Sequence, residues 1–244
     1  MRNKWIIVPI FLLLSGCSSQ AQFGKTKLGK ALEKIQTQTG PLSENDIANG
    51  LKEALKVGID NGSSEASRTD GYLRNEFIKI LFPPDAQKVE ETLRRIGLGN
   101  EVDRFIMSLN RAAEDAAKKS KPIFVKAITS MTITDAVGIL KGPDDAATAY
   151  LKRTTNGELY DTFFPVVDST LNLNQATRYY ADLVNTYNKV PFVQKVNPDL
   201  KQYATQKAMD GLYFLIAQEE KKIRENPAAR VSEILRRVFG QAGR

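Results

Sequence analysis

The sequence predicts an all-α domain of many helices, and three observations support that fold class. Apolar residues recur three and four positions apart along most of the chain, as in helices with one buried face. Ser43 with Asp46 and Thr132 with Asp135 have the spacing of capping boxes, in which side chains and backbone groups satisfy each other at a helix start. Residues 77–82 alternate only briefly, so they predict a short strand or an extended connector.

The first predicted helices are delimited by caps and breakers. One begins at Ser43 and ends where Asn61–Gly62 interrupts its apolar face. A second begins near Pro84 and ends at Gly97, because proline is favoured in a first turn and glycine just past a last one. Further helices are predicted at about 100–117, 122–130, 133–141, 143–154, 157–172, 175–189, 199–225 and 227–239. We therefore expect a single bundle-like domain.

A Gly-Pro corner joins two of these helices. Gly142 suits a left-handed helix end, and Pro143 suits the first turn of the next helix. We expect Asp144 and Asp145 in that first turn, where the helix dipole favours each acid by about 0.3 to 1 kcal/mol, with Thr148 beside Asp144 on the outer side. A Ca²⁺ or Mg²⁺ site formed by these two acids and Thr148 is the functional alternative, because both ions prefer oxygen ligands.

Glu220 lies in an unexpected position on the long helix at 199–225. At 100° per residue it projects near the centre of an apolar face. An isolated buried charge costs many kcal/mol, so this carboxylate must be paired or face a cavity. Arg224, one turn on, is the predicted partner, and Arg230 is a second candidate. Either the ion pair fixes the last helix to the domain, or Glu220 belongs to a ligand or catalytic site.

Asn110 and Glu114 lie one turn apart on the rim of an alanine-rich helix face. The simpler interpretation is a solvated edge on which Glu114 pairs with Lys118 at i+4, which contributes a few tenths of a kcal/mol. The alternative is a polar pocket lined by Asn110 and Glu114.

The first residues have the features of a secretory signal. Arg2 and Lys4 precede an uncharged apolar run from Trp5 to Leu14, which is too short to span a bilayer of about 30 Å as a helix. Residues 1–16 are therefore predicted to be a signal peptide that is removed on export.

The sequence Leu14-Ser15-Gly16-Cys17 resembles the lipobox of bacterial lipoproteins. That resemblance implies a diacylglycerol on Cys17, and Ser18 implies sorting to the outer membrane with the domain facing the periplasm. Residues 17–24 would be the lipidated cysteine and a short tether, and residues 25–244 the all-α domain. Because Cys17 is the only cysteine, the chain can form no intramolecular disulfide and keeps no thiol for catalysis.

Composition excludes several classes of function. The chain has no histidine, which removes the Ser-His-Asp and Cys-His arrangements and imidazole metal sites. It has no glycine-rich nucleotide motif, so we expect no cofactor and no metal. Loss of Arg2 and Lys4 lowers the formal net charge from +7 to +5. This surplus is scattered and not interleaved with aromatic residues, so no nucleic-acid partner is expected.

Several motifs, in the same order, resemble the DUF4197 family of bacterial envelope proteins over roughly residues 42–240. The motifs are Ala112–Glu114, Met131–Ala136 with Ile139–Leu140, Gly142–Thr148 with Tyr150, Ala208–Leu212, Glu219–Arg224, Asn226–Arg230 and Val238–Gly240. The resemblance implies an envelope location and carries over no catalytic residue.

These observations leave three hypotheses for function. The first is a non-enzymatic interaction or structural module, anchored to the membrane by lipid and binding an envelope protein partner. The second is a hydrolase of an envelope polymer with Glu114 and Glu220 as acid and base, which requires two carboxyls about 5 to 9.5 Å apart across a cleft. The third is a carrier of an apolar ligand, which requires an enclosed cavity of several hundred Å³.

Overall fold

A computed structural model describes residues 42–173, 175–189, 191–192, 194–230 and 232–241. The described residues form helices and contain no strand, so the all-α prediction is confirmed. The α-helices are α1 (Glu44–Ser67), α2 (Gln87–Arg95), α3 (Gly99–Ala117), α4 (Ser120–Thr129), α5 (Ile133–Lys141), α6 (Ala146–Asn172), α7 (Gln175–Tyr187), α8 (Lys201–Glu225) and α9 (Glu233–Gln241). Short 3₁₀ turns at Pro84–Ala86 and Pro227–Ala229 precede α2 and α9.

Helix α8 lies at the centre of the domain and packs against α1, α3 and α6. Helix α1 continues to Ser67, so the predicted stop at Asn61–Gly62 is wrong. Gly62 is buried against α8, where an added Cβ would lie 3.2 Å from the Ile216 side chain. The glycine therefore permits close packing of two helices instead of ending one.

Helix α6 also differs from the prediction. It is one helix of 27 residues where two were expected, because Gly157 lies on an exposed face and does not interrupt it. Its first residue is Ala146, so Asp144 and Asp145 precede the helix instead of lying in its first turn. Gly142 is extended (φ −79°, ψ 179°) and not left-handed, because the following Pro143 restricts it to that region.

Residues 68–83 connect α1 to the turn before α2 without regular secondary structure. Residues 77–82 form a connector, as one of the two predicted alternatives stated. Ile78, Ile80 and Phe82 are buried, whereas Phe77 and Leu81 are 73% and 51% exposed. We call residues 77–82 the connector.

Among the described residues, no single helix is long and apolar enough to cross a membrane. Helices α4 and α5 meet that test of length and composition only as a pair, across a bend of 105°. The predicted signal peptide, Cys17 and the tether lie outside the described residues, as does the part of the predicted domain before Leu42.

Candidate functional site

Two buried polar clusters contain most of the candidate residues. The first, which we call the corner cluster, consists of Thr148, Glu220 and Arg224. Glu220 accepts hydrogen bonds from the backbone N–H of Ala147 (2.9 Å) and from both the N–H and the hydroxyl of Thr148 (2.8 Å each). These N–H groups are at the start of α6, which has no side-chain cap of its own. Glu220 therefore caps α6 from another helix.

Arg224 completes the corner cluster. Its guanidinium donates to Glu220 at 2.8 and 3.0 Å and to the carbonyl of Ile139 at 2.9 Å, near the end of α5. A carboxylate thus lies at the positive start of one helix and a guanidinium at the negative end of another, an arrangement that both helix dipoles favour. The predicted Gly-Pro corner and the predicted ion pair are one site.

Arg230 is buried but does not pair with Glu220. It donates to the carbonyls of Ile223 (3.1 Å) and Arg224 (2.7 Å), which are in the last turn of α8. The second predicted partner of Glu220 is therefore a cap on the helix that carries Glu220.

The prediction that Thr148 lies on the outer side of the corner is wrong, because Thr148 is buried and bonded to Glu220. Asp144 and Asp145 are exposed. Thr148 therefore does not join these two acids in a cation site, because its hydroxyl is committed to the interior. In the part of the chain that the structure describes, no three acidic, histidine or cysteine residues come together as metal ligands.

The second cluster, which we call the loop cluster, consists of Asp70, Asn110, Arg111 and Glu114. Asn110 is fully buried and binds both backbone groups of Ile80: it accepts from the N–H at 2.9 Å and donates to the C=O at 2.8 Å. It also donates to the carbonyl of Ile106 at 2.7 Å. The predicted solvated edge is wrong here, since this amide holds the connector against α3.

Glu114 is also buried, and its predicted pairing with Lys118 is wrong. Lys118 pairs with Asp115 instead. Glu114 accepts from the N–H of Tyr72 (3.2 Å) and pairs with Arg111. Glu114 faces the loop after α1, where the N–H of Tyr72 needs an acceptor.

Arg111 links Glu114 to Asp70, which has a left-handed backbone (φ 66°). Hydrogen bonds to Glu114 and to Asp70 raise the pKa of the Arg111 guanidinium, the bond to Glu114 more strongly. Partial burial lowers this pKa but does not cancel the rise. Burial, with the charge of Glu114, raises the pKa of Tyr72, whose hydroxyl donates to the carbonyl of Ala208. The loop cluster thus fixes an irregular segment through one amide and a chain of ion pairs.

The structure does not bring Glu114 and Glu220 together. Glu114 binds Tyr72, whose ring lies against α8 at Gly211. Glu220 is nine residues further along α8, about 13 Å at the rise of an α-helix. The cavity beside Glu220 has a volume of about 20 Å³ and mostly apolar walls, which leaves room for about one water molecule.

Sequence reasoning missed a groove between the connector and α8. The groove has a volume of about 420 Å³, and its walls include Phe77, Lys79, Leu81, Lys207 and Phe214. The outward positions of the alternating run at 77–82 were the available signal, because two of them carry large apolar side chains. The neighbouring α8 residues gave no signal, since only the fold places them beside the connector.

No curated protein and no solved structure matches this chain. The family model described as a protein of unknown function, DUF4197, matches residues 41–240. That match includes both buried clusters and the connector. The chain belongs to the DUF4197 family.

Proposed function

We propose that this protein is a lipid-anchored envelope protein whose helical domain is a non-enzymatic interaction module facing the periplasm. The signal-like residues 1–16 and the lipobox-like sequence ending at Cys17 support the anchor. Two or three acyl chains give stable membrane attachment, whereas one chain gives only marginal binding. Ser18 supports sorting to the outer membrane.

The observation that supports an interaction module best is the use of the two buried carboxylates. Glu220 receives three hydrogen bonds from the start of α6 together with a guanidinium, and Glu114 receives two backbone N–H groups and another guanidinium. A general acid or base must exchange its proton with a substrate. Carboxylates committed to helix ends and loops are poorly suited to that role.

The hydrolase and carrier hypotheses have less support. Glycosidase chemistry needs two carboxyls that face one cleft, and Glu114 is not among the residues that line the cavity beside Glu220. A carrier needs a cavity of about 300 Å³ or more that encloses its ligand. The cavity beside Glu220 has about 20 Å³, and the larger groove at the connector is open to solvent.

The anchor is tested by intact mass spectrometry of the mature protein purified from bacterial membranes. We expect a chain that begins at Cys17 with a diacylglycerol and an N-acyl group. The matched variant Cys17→Ser is expected in the soluble fraction. An unmodified mature chain would contradict the anchor.

The module itself is tested by crosslinking the native lipoprotein in intact envelopes and by incubating it with purified peptidoglycan sacculi. We expect a reproducible protein partner and no release of soluble fragments. Fragment release that persists through purification to homogeneity would favour the hydrolase instead.

A further inference from the structure

The groove beside the connector combines exposed apolar side chains with a rigid floor. We call it the connector groove and define it by residues 77–82 with Tyr203, Lys207, Asp210 and Phe214. Phe77 stacks on Phe214 with ring centroids 5.7 Å apart, yet 73% of Phe77 remains exposed. Leu81 is 51% exposed beside them. Solvent therefore meets three large apolar side chains along one groove, which is typical of a binding surface.

Asn110 makes this groove a fixed surface. It binds both backbone groups of Ile80 from inside the domain, at 2.8 and 2.9 Å. Tyr203 supports the same segment, since its hydroxyl donates to the carbonyl of Leu81 at 3.1 Å. The connector is thereby held in one conformation with Phe77 and Leu81 outward, which lowers the entropic cost of binding.

The charges in the connector groove favour an acidic ligand. Lys79 and Lys207 are exposed, and neither ammonium has a carboxylate partner in the described residues. Lys207 lies over the Tyr203 ring at 6.0 Å. The one acid in the lining, Asp210, accepts a hydrogen bond from Gln206 at 3.0 Å. The groove thus offers two cations and one anion.

Backbone groups add a further element of recognition. Within the described residues, the N–H of Leu81 and the C=O of Lys79 have no hydrogen-bond partner. Asn110 binds the backbone groups of Ile80, and Tyr203 binds the C=O of Leu81, so neither side chain uses the Leu81 N–H or the Lys79 C=O. An extended ligand can therefore pair with these two backbone groups.

We propose that the connector groove binds an extended peptide segment of a partner protein, in which large apolar side chains alternate with acidic ones. The apolar side chains pack on Phe77, Leu81 and Phe214, and the acids pair with Lys79 and Lys207. Asp210 favours a peptide over a continuous anionic membrane surface, because a peptide can present an N–H to this carboxylate whereas anionic headgroups repel it. This inference rests on the proposed interaction function.

The test uses the mature lipoprotein in nanodiscs of zwitterionic lipid and three fluorescent decapeptides. The peptides share alternating Phe and Val residues and carry Glu, Gln or Lys at the remaining positions. By fluorescence anisotropy, with empty nanodiscs as the blank, we expect the Glu peptide to bind at least about tenfold more tightly than the Lys peptide. High salt should reduce that preference.

Charge-reversal variants locate the binding. The double variant Lys79→Glu with Lys207→Glu is expected to invert the order of the Glu and Lys peptides. The control, Lys56→Glu with Lys119→Glu, changes two exposed lysines outside the groove and should preserve the order. An unchanged order in the first variant would overturn the proposal.

Apolar variants provide an independent reading. Leu81→Ala and Phe77→Ala should each weaken binding of the Glu peptide about fivefold or more, whereas Met107→Ala, 45% exposed on α3, should not. Equal effects at all three positions would contradict binding in the groove. Binding to phosphatidylglycerol vesicles that requires Lys79 and Lys207, without ordered peptide binding, would assign the groove to a membrane and overturn the proposal.

Failure of the groove and failure of the interaction function are distinguishable. A photoreactive residue at position 81 or at position 107 of the native lipoprotein reports which surface meets a partner in cells. Crosslinks at 81 to a segment with alternating acidic and apolar residues are expected. Crosslinks only at 107 would keep the interaction function and contradict the peptide groove.

Discussion

The corner cluster and the loop cluster perform the same task with different chemistry. Each binds backbone groups that lack partners in their own segment. The corner cluster joins two regular helix ends with a carboxylate and a guanidinium, and only 6% of the Glu220 side chain and 11% of the Arg224 side chain are exposed. The loop cluster holds an irregular segment with the Asn110 amide and with Arg111, whose side chain is one third exposed.

This difference shows which of the two clusters supports a solvent-exposed surface. Helix ends that are capped inside the domain present nothing new to solvent, and the contacts of the corner cluster stabilise the joint between α5 and α6. The loop cluster fixes a segment with one face inside and the other in solvent, and that outer face carries Phe77 and Leu81. Loops on rigid scaffolds commonly carry binding residues.

The largest expected effect is at the corner cluster. Glu220→Gln removes one charge of a buried pair and places an amide N–H₂ against either the donors of Thr148 or those of Ala147 and Arg224. Breaking a buried pair in this way costs about 3 to 5 kcal/mol. We expect a loss of that size in the free energy of unfolding measured by urea titration. Binding at the connector groove should be unchanged while the protein is folded.

A matched control lies one turn and one residue beyond, at Glu225. This exposed carboxylate is 3.8 Å from Lys221, and a surface pair of that kind contributes about 0 to 1 kcal/mol. Glu225→Gln should therefore leave stability nearly unchanged. Equal losses for the two variants would show that the corner cluster is not a special site.

A smaller effect is expected at the loop cluster. Asn110→Ala leaves the N–H and C=O of Ile80 without their side-chain partner inside the domain, and orphaned groups cost about 1 to 3 kcal/mol. We expect a loss of about 2 to 3 kcal/mol. Unlike Glu220→Gln, this variant should also speed hydrogen exchange in the connector and weaken peptide binding there.

The exposed Asn156 on α6 provides the control for this prediction. Substitution Asn156→Ala changes the same chemical group on the surface and should alter stability by less than about 0.5 kcal/mol. Peptide binding that survives in Asn110→Ala would show that the connector needs no fixed position, which would separate the groove from the loop cluster.

The fold was largely predictable, because helical spacing and caps are local signals. The segment 133–141 is an example, since its capping box and the following glycine lie within the helix or next to it. Gly62 misled the prediction because it packs against another helix, and spacing within one helix does not reveal that contact.

The clusters were predictable only in part. Arg224 is one turn from Glu220, so its helix spacing indicated the pair. Thr148 and Ile80 are 72 and 30 residues from the side chains that bind them, and no local pattern connects such distant groups. Glu220 was recognisable as a buried charge, but the helix start that it caps was not.

The smallest effect on stability is expected at the start of α5. The cap there comes from residues of the same segment, whereas Glu220 caps α6 from another helix. Helix α5 begins with Thr132 and Asp135, which bond to each other's backbone N–H at 3.1 Å. Thr132→Ala should cost about 1 kcal/mol in the free energy of unfolding, well below the loss at Glu220. An equal or larger loss would contradict the view that the corner depends mainly on Glu220.

The variant Thr132→Ala also has a pH signature. Hydrogen bonds from the side chain and then the backbone of Thr132 lower the pKa of Asp135 below its ordinary value of about 3.9. A carboxyl whose pKa is lower in the folded state than in the unfolded state stabilises the folded state at pH values above the unfolded-state pKa. This contribution is lost as the pH falls through the folded-state pKa. Urea titrations at pH 7 and pH 3.5 should therefore show a smaller gap between wild type and Thr132→Ala at the lower pH. Thr92 is an exposed threonine on α2 that bonds only to a backbone carbonyl, so the control Thr92→Ala should show no such change. A gap that stays constant with pH for Thr132→Ala would exclude the Asp135 carboxylate as part of the cap.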